Sequence, residues 1–368
     1  MWRYVTQDGV GASRAAATDA FLMAAYGRGG SLPDPTLRIF TYQPRTLLLG
    51  RFQSLSAEVR MDECARSGVA LGRRLTGGGA MLMGDDQLAV SLVTSLDHPA
   101  TPGTKQEMMQ VYSNAVCRGL RILGLDCCLR SPHDLMVGPA KIGIADIIID
   151  PSGAILFQAH VLVGFDPQAM TSLLRLPAGL AGESAADTLA RRLTAVSREK
   201  GARVEARLVR DLVRTGFETG FGIELQHFAI TPLESQHAAR IQGETFEQEA
   251  WLHSRSPTAE MAARSARQTA GGLLLAFAAV AQGKIAQAVL AGDFFGDPEN
   301  VASFERAVQG APLEYEAIRA AAERFLPAGA MDGIDFADAA DVLWEAVTAS
   351  TPASPGLSEE TGGTSSVM

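Results

Sequence analysis

Hydrophobic and polar positions follow two rhythms along this chain. Residues 14–27 (RAAATDAFLMAAYG) carry apolar side chains at helical spacing up to Gly27, whereas LRIFTYQ and TLLLGRF, divided by Pro44, are short β-like runs. SAEVRMDECARSG predicts a helix closed by Gly68, and VALGRRL and LAVSLVTSL predict strands on either side of a glycine triplet. After the helical QEMMQVYSNAVCRGLRILG come three β-rich runs, HDLMVG, KIGIADIIID and AILFQAHVLVGFD, with a turn at Pro151, Ser152 and Gly153. Residues 167–225 return to helical spacing, and residues 226–265 are polar and irregular. A second β signal, GGLLLAFAAV and KIAQAVLAG joined by a tight QG, leads into helical periodicity over 301–325 and 335–348.

These rhythms predict an α+β protein: a mixed sheet flanked by helices over residues 1–225, a linker at 226–265, and a smaller α+β domain at 266–349. The Ser-, Thr-, Gly- and Pro-rich residues 350–368 read as a disordered tail. With 368 residues, 47% of them hydrophobic, the chain is long enough for two cores. Its net charge of −9 argues against nucleic acid as the main partner, because neutralising phosphates needs surplus Lys and Arg. No apolar run of bilayer length and no signal-like start is evident, so a cytoplasmic protein without a membrane partner is expected. Cys64, Cys117, Cys127 and Cys128 lack CxxC spacing and read as reduced, largely buried thiols.

Candidate chemistry gathers at three places. In RRLTGGGAML, Gly77, Gly78 and Gly79 remove every Cβ from a turn and let backbone N–H groups approach an anion, with Arg73 and Arg74 alongside; a plain tight turn with two surface arginines fits equally well. Neither the Walker nor the Rossmann glycine pattern is present. Lys141 stands among small and apolar residues in VGPAKIGIAD, either as a strand-end lysine reaching solvent or as a cation held against phosphate and carboxylate oxygens. His160 is either a core histidine or a ligand-binding one, and Asp134 either makes an Asx turn or coordinates Mg²⁺. No GxSxG motif occurs, and no cysteine adjoins the Lys141 loop.

Taken in order, several segments resemble the lipoate-protein ligase family and its biotin/lipoate ligase-like catalytic fold. The segments are AATDAFLMAA, LLLGRFQSLSAEV, RRLTGGGAML, HDLMVGPAKIG and GAILFQAHVLVGFD, followed by the accessory-domain-like WLHSRSP and GGLLLAFAAVAQGKIAQAVLAGDFFGDPE. The resemblance implies that ATP and Mg²⁺ activate lipoate, octanoate or a similar acid to an acyl-adenylate. The acyl group would then pass to a lysine of a lipoyl-domain carrier, of the E2 or glycine-cleavage H-protein type. On that analogy Lys141 bridges acyl and phosphate oxygens. Arg74, Thr76, Gly77, Gly78, Gly79 and Ala80 hold the nucleotide and acyl carboxyl, joined by Asp134, Gly143, Ala145 and His160, with Asp134 also the candidate metal ligand.

The departures from the family pattern fall at the same places. Met83 and Gly84 stand where the family has His-Asp, His133 replaces the asparagine before Asp134, Ala159-His160 corresponds to the family's His-Gly either shifted by one or substituted, and Asp146 stands where glutamine is expected. An ionised, poorly solvated carboxylate in a phosphate pocket disfavours ATP by several kcal/mol. Two other readings therefore accompany the ligase: ATP-independent acyl transfer, which in some relatives runs through a cysteine, and a non-catalytic carrier-binding protein.

Overall fold

The stretch WRYVTQDGV, where no strand was expected, is the first strand of the fold, β1 (Trp2–Val10), and it lies inside the principal sheet. Its apolar–polar alternation is broken by Gln7, Asp8 and Gly9, and pairing on both edges supplies what the local pattern lacks. The structure is a computed structural model and describes residues 1–27, 30, 32, 34–175 and 185–349; the expected tail at 350–368 lies outside them.

The strands that follow are β2 (Thr36–Tyr42), β3 (Thr46–Leu49), β4 (Ala70–Arg73), β5 (Met81–Met83), β6 (Gln87–Ser95), β7 (Cys127–Leu129), β8 (Asp134–Val137), β9 (Ala140–Ile149), β10 (Ala154–Leu162) and β11 (Leu225–His227). Seven of them join β1 in one eight-stranded mixed sheet in the order β11-β1-β2-β6-β10-β9-β8-β7, and β4-β3-β5 form a small sheet beside it. The helices Lys105–Ile122 and Ala206–Phe221 pack together on one face of the large sheet, contributing Tyr112, Leu120, Val213 and Phe217 to its main core. The helix Ala12–Tyr26, where periodicity predicted one, lies against β6 and β10.

The accessory domain is an antiparallel sheet of β12 (Ala263–Thr269), β13 (Gly272–Ala281) and β14 (Lys284–Gly292), covered by the helices Pro298–Val308, Tyr315–Phe325 and Phe336–Ala349. The tight QG between the last two strands takes positive φ at both Gln282 and Gly283. Its core takes in Phe52 of the larger domain, which is fully buried and stacks on Phe294 at 4.6 Å between ring centroids.

Two local readings differ from the structure. The predicted helix before Gly68 is two short helices, Leu55–Glu58 and Met61–Arg66, because Val59 leaves helical geometry to bridge Leu174. Within 226–265, read as irregular, the helix Pro232–Ile241 starts at a capping box in which Thr231 and Glu234 bond reciprocally. It packs on the helix Ala12–Tyr26 and is tied down by Arg3 to Glu234 at 2.8 Å.

Candidate active site

The glycine triplet links β4 to β5 and is closed from behind by its own arginine. Arg74, 2% exposed, donates to the carbonyls of Leu48, Gly77 and Gly79 at 3.2, 2.5 and 3.0 Å, so its guanidinium is spent on shaping the loop. Burial holds it at about 10, with Asp146 partly opposing the fall. Arg73 likewise turns inward, to the carbonyls of Gly50, Arg51, Trp251 and Leu252. Thr76 donates to Gln158 at 2.8 Å and so joins a buried polar network running through Asp19 to Arg38 and Ser91.

In front, the loop meets the GDFFG turn of the accessory domain. Gly78 (φ +88°) donates its N–H to Phe294 O at 2.9 Å, and a Cβ on it would come within 2.5 Å of the Phe295 ring. Gly77 donates to Asp146 Oδ2 at 3.0 Å, while Ile147 donates to Oδ1 of the same carboxylate. The amides of Gly77 and Gly78 therefore already serve a carboxylate and a carbonyl, and neither is open to a phosphate. Burial pushes the Asp146 carboxyl up, against the fields of His133 and Lys105 and two backbone hydrogen bonds.

His133, 5% exposed, donates from Nδ1 to Ala145 O at 2.9 Å, lies 3.7 Å from Asp146 and reaches Asp332 of the accessory domain at 2.8 Å. Phe295 stacks on its ring at 3.5 Å, 8° from parallel. The backbone on either side is also tied: Ala145 N–H donates to His133 O at 2.8 Å.

Lys141 lies beside a register shift between β8 and β9 and pairs with Asp134 at 2.7 Å; Thr194 N–H holds its carbonyl. It stands where two hollows meet. One is an interdomain cleft of about 990 Å³, walled by Glu58, Gly79, Ala80, Asp134 and Arg192 on one side and by Gly272, Asp293, Phe295 and Asp332 on the other. The other is a narrow apolar pocket of about 130 Å³ formed with Gly79, Ala80, Leu82, Gly143, Ile144, Phe165 and Met170. Gly143 lets β9 approach β10, since a Cβ there would lie 2.3 Å from His160 O. His160 itself is 2% exposed within β10, and its imidazole is held down to about 3 by burial and the Arg74 charge. A second surface cleft of about 1070 Å³ near Arg45, Asp86 and Arg203 contains neither the glycine loop nor Lys141.

The structure thus brings Lys141, Asp134, Gly79, Ala80 and Gly143 to one cavity system and places Arg74, Thr76 and His160 in the packed protein behind it. Sequence reasoning did not single out Glu58, Asp293, Phe295 or Asp332 as site residues; the last three come from the other domain, and although the GDFFG segment that holds Asp293 and Phe295 was read as accessory-domain-like, nothing in its local pattern says that it faces the glycine loop. Among the described residues no group of three or more His, Cys, Asp or Glu side chains is arranged to hold a metal, and no helix is long and apolar enough to cross a membrane. Cys64, Cys117 and Cys127 are buried, the latter two with sulfurs 2.7 Å apart, Cys128 is half-buried, and none lines either hollow.

A large mixed sheet with a small one beside it that bears a buried glycine loop, a lysine at the mouth of an apolar pocket and an accessory domain across the cleft define an acyl-handling fold, and the chain belongs to the lipoyl protein ligase A/B catalytic domain family, matched over residues 12–218. Residues 258–342 match the bacterial lipoate protein ligase C-terminus. The family is one of acyl-transferring enzymes. Similar relatives are octanoyltransferase LipM of Kyrpidia tusciae, 28% identical over 65% of this chain and 94% of the relative, and of Geobacillus kaustophilus, 26% identical over 69% and 99%. A bipartite lipoate protein ligase from Thermoplasma acidophilum has a similar structure (TM-score 0.60, 26% identity, 70% of this chain and 99% of that one). So does lipoate-protein ligase A bound with ATP (0.59, 26%, 69% and 99%). P. falciparum LipL1 shares the fold over 88% of this chain and 94% of its own (TM-score 0.71, 13% identity).

Proposed function

We propose that this protein transfers a lipoyl- or octanoyl-class acyl group to a lysine of a lipoyl-domain carrier, of the E2 or H-protein type. The observation that carries the reading is the position of Lys141 between a narrow apolar pocket and an open cleft. An extended hydrocarbon chain entering the pocket leaves its carbonyl beside the ammonium, which stabilises the negative charge that develops on oxygen. The cleft admits the carrier's lysine from the other side. Asp134 holds Lys141 in place at 2.7 Å.

For the activation step, the residues do not fit a magnesium triphosphate. The amides of Gly77 and Gly78 are engaged, Asp146 puts a carboxylate into the loop, Arg74 is turned to carbonyls, and Asp134 is paired with Lys141. These contacts support transfer from an acyl group that arrives already activated, with a thioester as the donor class, over adenylation by ATP and Mg²⁺ in this chain. With no cysteine lining the hollows, the transfer is a direct attack of the carrier amine on the acyl carbon. A cytoplasmic setting accords with four unpaired thiols.

The test supplies an apo lipoyl domain with either an octanoyl thioester or octanoate, ATP and Mg²⁺, and follows acylation by mass spectrometry and pyrophosphate release. Acylation from the thioester alone is expected, falling at least 100-fold in Lys141→Ala. Pyrophosphate release with octanoate or lipoate would place activation in this chain.

A further inference from the structure

A lysine ammonium cannot attack a carbonyl until it gives up a proton, and Lys141, a cation already paired with Asp134, is no acceptor for it. Asp134 is engaged by Lys141 and Asp332 by His133. The cleft presents two further carboxylates, Asp293 from the GDFFG turn and Glu58 from the helix Leu55–Glu58. We propose that Asp293 is the catalytic residue that takes the proton from the carrier lysine, so that the accessory domain supplies the general base only while it is docked on the glycine loop. This rests on the transfer reading given above.

The placement of Asp293 carries the inference. Its Cβ lies 3.7 Å from where a side chain on Gly79 would begin, and Gly79 borders both the cleft and the apolar pocket, so the carboxylate stands at the junction that Lys141 also lines. Leu273 N–H fixes Oδ1 at 2.6 Å. The next residue, Phe294, is fastened to the catalytic domain twice, by the Gly78 amide and by stacking on Phe52. A general base needs such fixed placement before its basicity matters.

The charges facing this carboxylate suit the role. Burial pushes the Asp293 carboxyl up, while its backbone hydrogen bonds and then Lys141 on β9 and Arg192 at the end of the helix Ala185–Arg192 oppose the rise. Glu58, whose oxygens accept from Gln53 Nε2 and Ser54 N–H at 2.7 and 2.8 Å, is raised to about 7, mainly by burial and further by the Asp293 charge, with Arg73 opposing. Arg175, also on the cleft wall, donates to Val59 O. A raised carboxyl is the stronger proton acceptor, and a second carboxylate nearby favours accepting one.

The step balances. Asp293 takes one proton from the ammonium, and the freed nitrogen pair forms the C–N bond as the carbonyl electrons move to oxygen beside Lys141. When the C–S bond breaks, the remaining extra proton on nitrogen goes to the departing sulfur, giving a thiol and an amide, and Asp293 returns its proton to solvent.

Asp293→Asn keeps the Oδ1 acceptor for Leu273 and removes the basicity; Asp293→Ser provides a second variant should Asn disturb the turn. With an octanoyl thioester and apo lipoyl domain, both are expected to lower kcat at least 100-fold at pH 7, leaving the carrier KM within about threefold and thermal unfolding unchanged. The deficit should shrink by about tenfold per pH unit above pH 8, as the lysine loses its proton unaided. Activity within threefold of wild type, or a deficit that is the same at every pH, overturns the assignment while the transfer reading stands. An inactive wild-type protein with every thioester tried overturns the transfer reading, and the assignment with it.

Discussion

His133 of the catalytic domain reaches Asp332 of the accessory domain at 2.8 Å, directly beneath the stacked ring of Phe295. One imidazole therefore touches both the loop after β14 and the turn before the helix Phe336–Ala349, while its other nitrogen is fixed to Ala145 O. Asp332→Asn is expected to weaken docking by about 1.5–3 kcal/mol, the worth of a hydrogen bond to a charged group. Hydrogen exchange at the Gly78 amide should quicken about 10- to 100-fold. Burial raises the Asp332 carboxyl, yet the His133 hydrogen bond and the Lys105 charge bring it below the ordinary range. Its contribution is thus complete above about pH 4 and lost as pH falls through the depressed value.

Asp146 occupies the loop as an internal acceptor, its carboxyl oxygens taking the Gly77 and Ile147 amides. Asp146→Asn should bind ATP at least tenfold more tightly than wild type in calorimetric titration, because a buried like charge has been removed. The folded-state carboxyl is raised, so its contribution to stability is complete below the unfolded value near 4 and is lost as pH rises through the folded one. Relative to wild type, the Asn variant should therefore gain stability as pH rises above about 4, followed in urea unfolding.

Gly78→Ala would place a Cβ against the Phe295 ring at a left-handed backbone position. The backbone alone costs about 1–2 kcal/mol, and the ring contact adds to it. Lower acyl transfer and a scattering profile of separated domains are expected; a docked, fully active variant would show that the turn has other room to move.

Arg74→Lys tests the loop's brace. The replacement cannot reach three carbonyls in a planar fork, so stability should fall by about 2–4 kcal/mol in chemical denaturation. The KM for an acyl thioester should stay within about threefold in the folded fraction, whereas a phosphate-binding role would raise the KM for a phosphate-bearing donor instead.

Several of these relationships were legible in the chain. The helix Ala12–Tyr26, the strands around the triplet, and the β-turn-β followed by helices in the accessory domain follow from period and glycine placement, which are local properties. The strand β1 and the helix Pro232–Ile241 were missed because pairing at two edges, in one case, and packing on another helix, in the other, stabilise patterns too weak to stand alone. The arginines beside the triplet read naturally as anion binders, since charge is visible in sequence and the direction of a side chain is not.

By itself, the sequence determined the two-domain α+β architecture, the family, and the residues that departed from its pattern, Asp146 among them, because spacing and residue type survive without coordinates. Only the tertiary structure decided what those residues face. Folding turned Arg74 to backbone carbonyls, closed Asp146 onto Gly77, and carried Asp293, Phe295 and Asp332 across roughly 150 to 200 positions of chain to the Lys141 cleft. The physical reason is that a buried polar group takes whichever partner the packed chain presents to it, and contacts of that sequence separation are set by how two cores dock.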